Sequence, residues 1–188
     1  MQQTYARVAG VAEKVDLAEL VDEALRTNTA MASRNDVNIF RDFEPRHLKV
    51  TVDKHKVLQI LVNIIGNAKH ACHDADHKDR TNEIFVRIRT SDQRVRISVS
   101  DNGIGILPEN LTKIFNHGFT TRKDGHGFGL HSGALAAREM GGSLTATSAG
   151  ANQGATFTLE LPLVPANGAP IEPKSLAKNS HAMNAQGV

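Results

Sequence analysis

The sequence has no tryptophan, one tyrosine and one cysteine, and its scarcities remove several classes of protein at once. A single thiol, Cys72, cannot close an internal disulfide, so the chain is not a small scaffold held by cross-links, and a reducing cytoplasm suits it. No apolar stretch approaches the roughly 20 residues needed to cross a bilayer, and residues 1–10 lack the continuous apolar run of a secretory signal. No membrane contact is expected within the chain, and any membrane attachment is expected outside it. Dense Lys/Arg blocks are missing too. With 22 Lys and Arg against 20 Asp and Glu, the formal charge of +2 offers no patch for nucleic acid. What is present is ordinary globular usage, 40% hydrophobic and 22% charged over 188 residues, enough for one domain with a substantial core.

Periodicity then orders the chain. Leu17, Leu20, Val21, Ala24 and Leu25 recur at helical spacing after Asp16, a capping residue, which predicts a helix over residues 17–32. Short strands are predicted at 37–43 and 48–52 around Pro45. A longer central helix starts near Asp53, and between Val57 and Cys72 its apolar residues are dense enough to require one broad buried face. Ile84, Val86 and Ile88, then Val95, Ile97 and Val99, alternate with other residues on either side of Ser91-Asp92-Gln93, the pattern of a hairpin. Residues 102–127 are Gly-rich, polar and without period. So long a loop in a compact domain implies function, and a mobile lid is expected there. A helix over 128–140, ended by Gly141 and Gly142, and strands at 143–148 and 155–161 complete the domain. Residues 164–188 are nearly devoid of large apolar side chains and read as a disordered tail or linker.

Three places carry chemistry. Asn63, Asn67 and His70 project within roughly 60° of one another from the central helix, one polar stripe at the margin of a buried face. Such amides are either bonded within the protein or offer oxygen to a hard cation such as Mg²⁺. Asp101 continues the parity of Val95, Ile97 and Val99, so it is expected on the core side of its strand, where it is either the capping Asp of an ordinary strand-to-turn transition or a carboxylate that needs a donor, for which a purine amino group is suited. The Gly103 and Gly105 that follow allow a ligand close to the backbone. Gly125, Gly127 and Gly129 alternate just before a helix, where free N–H groups and the helix dipole favour phosphate. Thr120, Thr121, Arg122 and Lys123 add hydroxyl donors and positive charge just upstream.

Together these segments resemble the four nucleotide-binding motifs of the histidine-kinase branch of the GHKL superfamily, whose other branches include gyrase-type topoisomerases and large heat-shock chaperones. The N motif is Asn63-Ile64-Ile65-Gly66-Asn67-Ala68 and G1 is Asp101-Asn102-Gly103-Ile104-Gly105-Ile106. The F motif is Ile114-Phe115-Asn116-His117-Gly118-Phe119-Thr120-Thr121, and G2 is Gly125-His126-Gly127-Phe128-Gly129-Leu130. The resemblance covers roughly residues 53–162. It implies an α+β fold, a two-layer sandwich of the Bergerat type in which a mixed, mainly antiparallel sheet packs on helices. It also implies ATP and Mg²⁺, with Asp101 on the adenine amino group, Asn67 on the metal with Asn63 nearby, and the G2 backbone on the phosphates. Ile106, Phe115, His126, Phe128 and Leu130 enter the binding set through these motifs.

The same resemblance implies a domain order: residues 1–14 as the end of a preceding helical dimerisation domain or a linker, 15–163 as the catalytic ATP-binding domain, 164–188 as tail. The expected reaction moves the γ-phosphoryl group of ATP to a histidine on a separate dimerisation domain, with a response regulator downstream and ADP as product. This sequence departs from the family in three ways. His70 stands where many members carry Lys, Ala155 follows Gly154 where a Thr is common, and none of the nine histidines precedes Glu or Asp with a nearby Pro, the acceptor pattern. The alternatives are an ATP-driven clamp ATPase of the gyrase or chaperone type and a nucleotide-binding module without catalysis. Asn63, at the position where a clamp ATPase uses a carboxylate to activate water, argues against the first.

Overall fold

Asp53 opens the longest element. In the computed structural model, which describes residues 12–30, 37–75, 81–122 and 125–164, its carboxylate accepts the Lys56 N–H at 3.1 Å and caps α2 (Lys54–His73). Twenty residues of helix extend about 30 Å. One face, including Ile60, Leu61, Ile64 and Ile65, is fully buried, so the density of apolar residues seen in the sequence is what fixes α2 at the centre. The preceding helix, α1 (Leu17–Ala30), starts where Asp16 accepts the Ala18 N–H at 2.9 Å, and its own apolar stripe packs on α2. Residues 31 and 32 of the expected helix lie outside the described residues.

Five strands form the main sheet: β2 (Val37–Phe43), β4 (Asn82–Ser91), β5 (Arg94–Asp101), β6 (Ser143–Thr147) and β7 (Ala155–Pro162), in the order β2-β4-β5-β7-β6. β2 runs parallel to β4 and every other pairing is antiparallel, so the sheet is mixed and mainly antiparallel. The β4–β5 hairpin turns on Asp92 and Gln93, both at positive φ (50° and 61°), the pair of left-handed residues that a two-residue turn matched to strand twist requires. Val95, Ile97 and Val99 of β5 and Leu159 and Leu161 of β7 are buried against α2 and α4 (Gly129–Glu139), giving two layers, helices on one face of a sheet. The expected α+β sandwich is therefore the observed fold.

The structure adds two elements to those read from the sequence. β1 (Glu13–Asp16) pairs antiparallel with β3 (Lys49–Val52) in a small second sheet, so Glu13 and Lys14, expected as the end of a preceding helical domain or of a linker, are strand. The two strands expected around Pro45 consequently belong to different sheets. Within the aperiodic stretch, α3 (Pro108–Leu111) begins at Pro108 and Ile114 reaches the core, so part of the expected lid is anchored. The helix expected over 128–140 is α4, one residue shorter at each end. Residues 1–11 and 165–188, expected as a preceding segment and a tail, lie outside the described residues. No helix among the described residues is long and apolar enough to cross a membrane.

Candidate functional site

The C-terminal end of β5 lies in the middle of the sheet, between β4 and β7. There the alternation that buries Ile97 and Val99 carries a carboxylate inward, since Asp101 follows Val99 in the same parity. Asp101 Oδ1 accepts two backbone bonds, from Gly103 N–H at 2.9 Å and from Ala155 N–H at 3.3 Å. Oδ2 is buried and has no partner. Burial pushes the Asp101 carboxyl above the usual carboxylate value, while the two N–H bonds oppose that shift. An unpartnered buried oxygen of this kind costs free energy until a donor arrives.

Asp101 belongs to the wall of a cavity of about 370 Å³, within the size range of small-molecule sites. α2 contributes Asn63, Asn67 and His70 from the single stripe that helical geometry predicted. The loop after β5 contributes Ile106 and Gly105, whose φ is +70° and where a Cβ would collide with the Gly150 carbonyl, so both the backbone angle and the space demand glycine. Opposite lies the start of α4. A Cβ on Gly129 would collide with the Asn63 side chain, so the backbone at the helix N-terminus rests directly on that amide. Asn63 Nδ2 is buried there without a partner, and no side chain caps α4, which leaves donors for an anion at this end. The upstream segment meets α2 at Arg122, whose Nη2 lies 3.1 Å from His70 Nε2. Partial burial, then the Arg122 charge, lowers the His70 pKa, which suits a neutral ring accepting from the guanidinium.

Every described residue of the predicted set lines this cavity except two. Gly103 is buried under the C-terminal end of α2, where the next residue's N–H donates to the Ala71 carbonyl at 3.0 Å, and it serves the site through its backbone, its N–H bonding Asp101 Oδ1 and its carbonyl the Gly154 N–H. Phe115 packs against the core and its carbonyl meets His131 Nδ1 at 3.0 Å, on the wall of a different cavity. Lys123 lies outside the described residues. Lys69 is not among the lining residues, in keeping with its projection away from the stripe. Residues that the sequence reading missed include Ala71, Asp74, Ile104, Phe119, Ala155 and Phe157. Ile104 was visible inside the glycine motif, whereas Ala155 and Phe157 enter through the β5–β7 register that sets Asp101 against Ala155 and Val99 against Phe157. Cys72 bonds weakly to Asn102 Oδ1 at 3.6 Å; its thiol is pushed up to about 11 by burial and by Asp101, so it is packing and not a nucleophile. Among the described residues no group of three His, Cys, Asp or Glu side chains could hold a metal ion; the Asn67 amide lines the cavity, and its oxygen is a hard donor of the kind Mg²⁺ takes.

Comparison with known proteins agrees with this geometry. Residues 52–165 match the protein family described as histidine kinase-, DNA gyrase B-, and HSP90-like ATPase. The sensor histidine kinase ZraS of Klebsiella oxytoca is 32% identical over 152 residues, covering 80% of this chain and 31% of that protein. The sensor protein FixL of Bradyrhizobium diazoefficiens is 28% identical over 151 residues, with 80% and 29% covered. This chain thus spans about a third of the length of the curated relatives it matches. Among solved structures, the catalytic domain of the histidine kinase ThkA superposes with a TM-score of 0.70 at 24% identity, covering 81% of this chain and 95% of that one. Full-length ShkA, solved in complex with AMPPNP, superposes with a TM-score of 0.72 at 25% identity, covering 86% and 33%.

Proposed function

We propose, from the premise that the chain belongs to the histidine kinase-, DNA gyrase B- and HSP90-like ATPase family as an ATP-binding catalytic domain of the sensor histidine kinase type, that it presents the γ-phosphoryl group of ATP to a histidine on a separate dimerisation domain. A response regulator is the downstream acceptor. The observation that carries this reading is Asp101 Oδ2, a buried oxygen without a donor on the wall of a nucleotide-sized cavity.

The adenine amino group supplies the donor that this oxygen lacks, and the Asp101 carboxylate is already turned toward it by the bonds from Gly103 and Ala155. With the base there, the triphosphate extends toward Asn63 and the uncapped start of α4, where N–H groups and the Asn63 Nδ2 donor meet oxygens. Thr120, Thr121 and Arg122 face the same space and place positive charge beside it. The Asn67 amide oxygen fits Mg²⁺, which would neutralise charge on the phosphates. Phosphoryl transfer needs mainly positioning and charge neutralisation, and these residues supply both. The nucleophile is the unprotonated imidazole nitrogen of the dimerisation domain: its bond to phosphorus forms as the bond from phosphorus to the β,γ-bridging oxygen breaks and ADP departs, and the other ring nitrogen releases its proton to solvent. Asn63 cannot deprotonate water, so hydrolysis is not favoured.

Incubation with γ-labelled ATP and Mg²⁺ tests this. The chain alone is expected to remain unlabelled and to release little phosphate. Addition of the cognate dimerisation domain is expected to yield acid-labile, base-stable phosphohistidine on that partner. Acceptor-independent turnover on the order of 1–10 per second would instead identify a clamp ATPase.

A further inference from the structure

The structure assigns a positioning role to Ser148, a residue outside all four nucleotide-binding motifs: its hydroxyl aligns the Asp101 carboxylate for the base without itself lining the cavity. This rests on the reading of the cavity as an adenine-nucleotide site. Ser148 directly follows β6 and starts the loop that leads into β7. Its Oγ lies between that loop and the one after β5, accepting the Ile106 N–H at 3.0 Å and the Gly150 N–H at 3.3 Å and donating to the Gly154 carbonyl at 2.6 Å. A serine hydroxyl has one donor and two acceptor sites, and all three are used.

Each of those bonds bears on the base-binding end. Ile106 is a wall of the cavity. Gly154 immediately precedes Ala155, whose N–H is one of the two donors that hold Asp101 Oδ1 and thereby leave Oδ2 free. The two loops are further laced by Asn152 N–H to the Ile104 carbonyl at 2.7 Å and Gly154 N–H to the Gly103 carbonyl at 3.1 Å. Ser148 is the side chain that joins the Ile106 and Gly154 ends of this lacing. Remove its hydroxyl and the Ile106 N–H and Gly154 carbonyl lose their common partner. The loops then relax at the position that sets the rotation of the carboxylate.

A loop-positioning role and a merely structural one differ in what they do to base selectivity. Inosine diphosphate carries a carbonyl where adenosine diphosphate carries the amino group, so an aligned Asp101 Oδ2 favours ADP over IDP. The experiment is titration of ADP and IDP against wild type, Ser148→Ala and Ser148→Thr, with thermal melting of each. Ser148→Ala is expected to lose about threefold to tenfold in ADP affinity, the scale of one neutral hydrogen bond, and to lose much less for IDP. The ADP:IDP ratio therefore falls toward one, and Ser148→Thr, which keeps the hydroxyl, restores it. Parallel losses for both nucleotides with an unchanged ratio, or no change at all, would overturn the proposal. Should Ser148→Ala fail to fold, Ser148→Cys, with only a weak S–H donor in the same place, carries the same ratio measurement. Failure of the adenine reading shows itself elsewhere: wild type would then have no preference for ADP over IDP.

Discussion

At the β5 end of the cavity, Asp101 Oδ1, the Ile106 N–H and the Gly154 carbonyl are all bonded within the protein, and a single buried oxygen is left over. At the α4 end, Thr121, Arg122 and His126 are exposed, the helix start has no side-chain cap among the described residues, and the Arg122–His70 contact joins the upstream segment to α2. The difference teaches how one cavity divides its work. On the proposed reading, the β5 end is the base end, bonded before any ligand arrives and selective through the one hydrogen bond it lacks, so its specificity would come from a pre-existing cost. On the same reading the α4 end, with the exposed Arg122 and the uncapped helix start, is the phosphate end. Changes at the first end should therefore alter which base binds, and changes at the second should alter how phosphate and metal contribute.

The largest effect is expected from Asp101→Asn. The amide keeps an oxygen for the Gly103 and Ala155 N–H groups but turns an NH₂ toward the adenine amino group, so ADP affinity should fall by about 1–3 kcal/mol in a calorimetric titration. Stability should move the other way. The folded-state pKa of Asp101 is raised, chiefly by burial, so folding favours its protonated form relative to the unfolded chain. Its contribution to stability is present at low pH and lost as pH rises through the folded value. Free of that titration, Asp101→Asn should melt at the same temperature as wild type or higher at pH 7, and the gap should close below the ordinary carboxylate pKa of about 3.9. A variant that loses both stability and affinity at pH 7 would show that the base end is not held under this tension.

Gly105→Ala sharpens the same side of the comparison. A methyl at φ +70° against the Gly150 carbonyl forces the two loops apart, with an expected loss of about 1–3 kcal/mol in unfolding free energy and a matching fall in nucleotide affinity. Denaturant titration with and without ADP checks both. The smallest effect belongs to the phosphate end. Because burial and Arg122 depress the pKa of His70, its stabilising contact is present above the unfolded value of about 6.5 and lost as pH falls. His70→Ala should lower the unfolding free energy slightly at pH 8, by less than about 1 kcal/mol for so exposed a pair, and not at pH 5. A constant difference across that range would remove the ring's neutral form from the account.

The same division explains what was legible in the sequence. The Asn63, Asn67 and His70 stripe is set by the 3.6-residue period of one helix, and Gly105 and Gly129 announce close approaches that other residues cannot make, so local rules sufficed. Strand parity gave the core-facing side of Asp101, and the neighbouring motifs were needed to read it as a binding residue. Ser148 and Ala155 were not, because their roles arise only when β6 and β7 pair and the following loop folds back over residues 103–106, an outcome of long-range register. β1 was hidden for a similar reason, since four residues acquire strand character only by pairing with β3. Phe115 and Gly103 show the opposite error: membership of a motif does not mean contact with the cavity, and each supports it from behind.

The most direct test of this two-ended account is a set of calorimetric titrations with adenosine and with a non-hydrolysable ATP analogue, with and without Mg²⁺, on wild type, Asp101→Asn and Asn67→Ala. Asp101→Asn should weaken adenosine and the ATP analogue alike, with the gain on adding Mg²⁺ intact. Asn67→Ala should bind adenosine as wild type does and lose the Mg²⁺-dependent gain for the analogue. If Asp101→Asn bound adenosine with undiminished affinity, or Asn67→Ala kept the full Mg²⁺ gain, the assignment of base to β5 and metal to α2 would be contradicted.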